Sequence, residues 1–141
     1  MRRGMVLFAL AVLTASATST QTISFGLGDA SLEASLNEIG AGAKLDMGGF
    51  TAEVSLQWGL PAVQVSGAIS QGLQPAEAYL AAAFAKLSGK PMTTVVGVYK
   101  QNKAKGWGFV AKELGIKPGS KDFKALKDKA SASAAKAKKK K

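Results

Sequence analysis

The chain has 141 residues, with neither Cys nor His, and carries 19 Lys and Arg against 9 Asp and Glu, a formal net charge of +10. Without those two residue types no disulfide, lipid-modified cysteine, structural zinc site, Ser-His-Asp triad or Cys-His pair can be assembled. Catalysis would be left to carboxylates and Lys, so a non-enzymatic protein is expected, with no metal and no cofactor.

The chain opens with Arg2-Arg3, an apolar run from Met5 to Leu13, and small residues ending in Ala15-Ser16-Ala17. That order is the pattern of a secretory signal peptide over residues 1–17: a charged end, a short greasy segment and a small-residue cleavage site. The apolar run is shorter than the roughly 20 residues that cross a bilayer. Gly4-Met5 fits the twin-arginine pattern poorly, so ordinary secretion is expected. The mature chain should then lie in the periplasm or outside the cell, with no integral membrane span.

Residues 18–28 read as an extended lead-in, with Ile23, Phe25 and Leu27 alternating. Residues 29–58 carry two patterns at once. Leu32, Leu36, Ile39, Ala43, Met47, Phe50, Val54 and Trp58 follow at steps of three and four, one helical stripe. Phe50, Ala52, Val54, Leu56 and Trp58 also alternate, as in a strand. The Ala, Leu, Glu and Lys content favours two helices, broken near Gly48-Gly49. The alternative is an α+β fold with a short sheet over residues 23–58.

Gly59 and Pro61 end that region, and residues 62–70 form a short helix with Val65, Ala68 and Ile69 inward. Residues 75–88 make the clearest helix. Pro75 suits its first position, and Ala76, Tyr79, Leu80, Ala83, Phe84 and Leu87 form one apolar face. In residues 91–101, Met92, Val95, Val96 and Tyr99 keep helical spacing. A short helix runs on to Leu114, where Gly115 and Pro118 stop it. Ser120 then caps a helix with Phe123 and Leu126 inward. From Ala130 on no large apolar side chain remains, and residues 130–141 read as a disordered Lys-rich tail. The expected fold is all-α, with residues 18–129 as one domain.

Charge divides by position. Residues 18–85 hold six acids and one Lys, a net −5. Residues 86–141 hold sixteen Lys and three acids, a net +13. A module so basic attracts polyanions. Its candidate contacts are Lys103, Lys105, Lys112, Lys117, Lys121, Lys124, Lys138, Lys139, Lys140 and Lys141, with Trp107 between Gly106 and Gly108 either as a stacking platform or, as the alternative, as a core Trp that anchors the helix start with the glycines giving it room. Val110-Ala111-Lys112-Glu113-Leu114-Gly115-Ile116 also has the spacing of the first half of a helix-turn-helix. The helix after it offers Lys and Asp122 where a DNA reader would present Arg, Asn or Gln. Anionic envelope polymers or lipid headgroups are therefore the expected partners. Nucleic acid is the alternative, and no protein partner is indicated.

Residues 105–127 resemble the closing segment, KGWGxxAKELGIKPGSxxFxALK, of a group of small exported bacterial proteins of unknown function. Trp58-Gly59-Leu60-Pro61 and Pro75-Ala76-Glu77-Ala78-Tyr79 are similar to other fixed points of that group. Members often show His where this chain has Lys124. The resemblance spans about residues 30–127; it implies a helical domain at the cell envelope and brings no activity with it.

Overall fold

The computed structural model describes residues 23–139. The expected signal peptide, Lys140 and Lys141 lie outside the described residues. Among the described residues seven α-helices follow one another: α1 (Ala30–Leu45), α2 (Met47–Trp58), α3 (Ala62–Ser70), α4 (Pro75–Ser88), α5 (Met92–Gln101), α6 (Gly106–Glu113) and α7 (Lys121–Lys139), with one 3-10 turn at Lys103–Lys105. The fold is all-α, and no strand occurs among the described residues. The sheet alternative over residues 23–58 is not found.

The centre of the domain is α4. Residues Ala78 to Phe84 are all fully buried, because α4 is walled by α1, α2, α3 and α5. From Ala78 to Ala85 its sequence is apolar all round, as a helix stretch enclosed on every side must be. The small Ala side chains let its neighbours approach closely. The large ones, Tyr79, Leu80 and Phe84, fill the remaining space. Pro75 opens the helix, and Glu77 turns back to accept from the Gln74 N–H at 2.9 Å, which caps the first turn.

The break between α1 and α2 falls at Asp46, two residues before the expected Gly48-Gly49. Asp46 caps α2 by accepting from the Gly49 N–H at 2.9 Å. The two glycines thus sit in the first turn of α2, where the backbone N–H groups have no helical partner and a capping carboxylate satisfies one of them. The other boundaries agree closely with the sequence pattern. Gly59, Gly89 and Gly115 follow α2, α4 and α6 at positive φ, and Ile116 folds back to donate to the Ala111 carbonyl at 2.8 Å.

Of the disordered tail expected over residues 130–141, the part up to Lys139 is corrected by the structure. Residues 130–139 continue α7, and Ala130, Ser133, Ala134 and Ala137 are buried. Their spacing of three, one and three is a helical stripe built from small side chains. It carries little hydrophobicity of its own, but it lets α7 lie close along α1. Asp29, at the start of α1, meets Lys127 at 2.9 Å, while Gly42 near its end meets Ala137. The two helices therefore run parallel. α2 runs back against both, with Gln57 Nε2 donating to the Lys129 carbonyl at 3.0 Å and Glu53 beside Lys136.

Candidate polyanion-contact surface

Trp107 is not a surface platform. It is 1% exposed, stacked on Tyr99 with ring centroids 4.2 Å apart, and met edge-on by Phe84. Its Nε1 donates to Glu77 Oε2 at 3.3 Å, the same oxygen that accepts from the Tyr99 hydroxyl. An indole buried this deeply needs a partner for its N–H, and Glu77 is placed by the α4 cap to supply one.

The glycines beside Trp107 serve the chain's own lead-in. Residues 23–29 cross over α6 as a strap bent at Gly26 and Gly28, with Phe25 and Leu27 buried. The strap has no neighbouring strand. Its alternate N–H groups bond instead to side chains of α1. Ile23 donates to Asn37 Oδ1 at 2.9 Å, Phe25 to Glu33 Oε1 at 2.8 Å, and Leu27 to Glu33 Oε2 at 2.9 Å. On the other side the Trp107 N–H donates to the Phe25 carbonyl at 2.8 Å. A Cβ at position 108 would stand 2.3 Å from the Gly26 carbonyl oxygen, so only glycine fits under the strap.

The candidate lysines Lys103, Lys105, Lys112, Lys117, Lys121, Lys124, Lys138 and Lys139 are all exposed. They do not form one cluster. Lys103 and Lys105 lie on the 3-10 turn, where Lys105 Nζ sits 4.6 Å from the centre of the Phe109 ring. Lys112 is on α6. Lys117, Lys121 and Lys124 surround the start of α7, and Lys138 and Lys139 occupy its end, about 27 Å away at 1.5 Å per residue. Lys124 pairs with Asp128 at 3.8 Å, a surface contact between two exposed groups that contributes little. Lys127 and Lys129, absent from the sequence-derived set, carry structural contacts: Lys127 pairs with Asp29, and Lys129 Nζ lies 5.3 Å from the centre of the Trp58 ring. Their helical phase against Phe123 and Leu126 was the available signal.

The helix-turn-helix spacing leads to a different pairing. α6 and α7 are joined by seven residues, 114–120, and α7 lies along α1 rather than on α6. Phe123, Leu126, Ala130, Ser133, Ala134 and Ala137 are all turned inward, so one whole side of α7 belongs to the core.

The interior holds one further polar cluster. Gln57 Oε1 accepts from the Tyr79 hydroxyl at 2.6 Å and from Ser133 Oγ at 3.1 Å. Burial pushes the Tyr79 hydroxyl up to about 12, and the nearby Glu53 charge acts in the same direction. Beside it a cavity of about 10 Å³, lined by Glu53, Tyr79 and Ser133 among others, has room for one water. A buried Glu53 oxygen, Oε2, faces Lys136 at 3.5 Å and has no hydrogen-bond partner. Among the described residues no three Asp or Glu side chains gather into a metal-binding group, and no helix is long and apolar enough to cross a membrane. Comparison of the chain with protein-family models, with curated proteins and with solved structures finds no match.

Proposed function

We propose that the protein is exported to the cell envelope and acts there by binding or scaffolding, through contact of its basic C-terminal module with polyanions. The observation that supports this reading most is the placement of the eight described candidate lysines. Every one is exposed, while Trp107, Val110, Ile116, Phe123 and Leu126 between them turn inward. The module therefore presents positive charge over an inert, packed interior, and its attraction to a polyanion is long-ranged and screened by salt. Because the lysines are spread over α6 and both ends of α7, the contact is broad and suits a polymer or a charged surface better than a small anion.

The test is retention of the exported protein on immobilised heparin across a salt series, with cell fractionation alongside. Retention should fall steeply as salt rises. Changing Lys117, Lys121 and Lys124 together to Gln should weaken it, and so should changing Lys138 and Lys139. Retention that ignores salt would remove the polyanion reading. Recovery of the intact precursor from the cytoplasm would remove the envelope location.

A further inference from the structure

Five large apolar side chains stand in solvent among the described residues, and four of them fall in one stretch: Leu45, Met47, Leu56 and Val63. Leu56 is 85% exposed and Val63 73%. Leu56 lies on the outward side of α2 with Ala52 and Gly49, at steps of four and three. Phe50, Val54 and Trp58 occupy the opposite, buried side. Among the described residues no helix covers this outward side: Leu56 stays 85% exposed. Between α2 and α7 it opens into a cleft of about 460 Å³ lined by Gly49, Ala52, Glu53, Leu56, Gln57 and Lys136.

Residues 45–63 contain no Lys, yet lysines from other elements border them. Lys136 Nζ lies 3.5 Å from Glu53, Lys129 Nζ lies over the Trp58 ring, and Lys86 Nζ lies 3.6 Å from where a Cβ at Gly59 would stand. The two acids of α2 and its cap are already engaged: Glu53 by Lys136, and Asp46 by the Gly49 N–H. Exposed apolar side chains on α2 and α3 with ammonium groups beside them match the interface of an anionic bilayer, where acyl chains lie under a layer of phosphates.

We propose that the outward side of α2 docks on an anionic lipid surface, with Leu56 and Val63 entering the interface and Lys86, Lys129 and Lys136 against the headgroup phosphates. The inference rests on the reading that the partner is anionic, and it names the source as lipid. A dissolved polyanion offers nothing to Leu56. A second copy of this chain would bring the same border of lysines towards its twin, between molecules whose residues 18–141 sum from −5 and +13 to a net +8.

The experiment uses protein recovered from the envelope or medium after export, so that its N-terminus is the one the cell makes. It is sedimented with vesicles of mixed phosphatidylglycerol and phosphatidylcholine and with vesicles of phosphatidylcholine alone, and in parallel applied to heparin. The unsubstituted protein should partition onto the anionic vesicles only. Leu56→Ser with Val63→Ser should reduce that partition about tenfold while leaving heparin retention and the melting temperature unchanged. Lys86→Gln with Lys129→Gln should reduce the partition as well. Equal binding of Leu56→Ser/Val63→Ser and the unsubstituted protein overturns the inference, as does equal binding to both vesicle types. So does a salt-resistant dimer that the same two substitutions dissociate. Heparin retention without vesicle binding overturns it while the polyanion reading stands, and loss of both removes the two together.

Discussion

Ala137 of α7 rests directly on the backbone of Gly42 in α1. A Cβ placed at position 42 would stand 2.6 Å from the Ala137 Cβ and 3.1 Å from its Cα. No real side chain fits there, so the separation of α1 and α7 is set by the absence of one.

Gly42→Ala should therefore destabilise the fold although Ala is the better helix former. The intrinsic gain is about 1 kcal/mol. Forcing two helix backbones apart costs roughly 1–3 kcal/mol. Gly97, inside α5, is the matched control. A Cβ at position 97 would have nothing within 4 Å, so Gly97→Ala should stabilise by up to about 1 kcal/mol. Denaturant midpoints for the two variants should move in opposite directions, and movement in the same direction would refute this account of the α1–α7 contact.

Cutting the chain after Lys129 separates a packed helix from a solvated tail. Removal of residues 130–141 takes away the buried methyls of Ala130, Ala134 and Ala137, and with them the Ser133 hydroxyl that donates to Gln57. At about 0.8 kcal/mol for each buried carbon of this kind, the loss is roughly 2–3 kcal/mol. Lys138→Gln with Lys139→Gln, which removes charge from exposed positions only, should leave the melting temperature where it was. A truncated chain as stable as the full one would show that residues 130–139 contribute nothing to the fold.

These two tests fall where the sequence was hardest to read. The helices carrying large apolar stripes, such as Val65 with Ala68 or Met92 with Val95 and Tyr99, were legible because a 3.6-residue period of bulky side chains has one structural meaning. The second half of α7 has no bulky side chain. Its inward face is Ala and Ser, and what buries it is Gly42, some 90 positions earlier, so composition alone gave the opposite reading. Trp107 failed as a surface residue for a related reason. The space beside its flanking glycines is taken by the strap at Phe25 and Gly26, whose course the sequence pattern does not show. The exposure of the lysines was legible. Their spread over α6 and both ends of α7 was not, since it depends on which helix α7 packs against.

The chain's two tyrosines give a pH signature. Burial raises the hydroxyls of Tyr79 and Tyr99 to about 12, and for Tyr99 the bond to Glu77 adds to the effect. The unfolded chain ionises near 10. For an acid whose folded pKa is raised, the native state holds the proton more tightly. The stability it contributes is complete below about pH 10 and is lost as pH rises from there towards 12. Tyrosinate absorbance of the folded protein should stay flat through pH 10 and rise only with unfolding. Tyr79→Phe should lessen the alkaline loss of stability relative to neutral pH. A native chain that titrates both tyrosines near 10 would contradict the burial of these hydroxyls.

Glu33 holds the strap by a contact that sequence periodicity does not reveal. Its two carboxylate oxygens accept from the Phe25 and Leu27 N–H groups, standing in for the carbonyls of a missing neighbouring strand. Hydrogen bonds to a charged acceptor contribute more than neutral ones, about 1.5–3 kcal/mol each, and a part-buried N–H left without an acceptor bears the desolvation cost. Glu33→Ala should free the strap before it unfolds the domain. Amide exchange at Phe25 and Leu27 should accelerate by at least about tenfold, and the Trp107 amide, which donates to the Phe25 carbonyl, should follow. The Leu80 and Phe84 amides, inside α4, should keep their protection. Glu33→Gln, which retains one acceptor oxygen, should fall between the two. If the Phe25 and Leu27 amides exchange at the same rate in all three proteins, the strap is held by its buried side chains and not by Glu33.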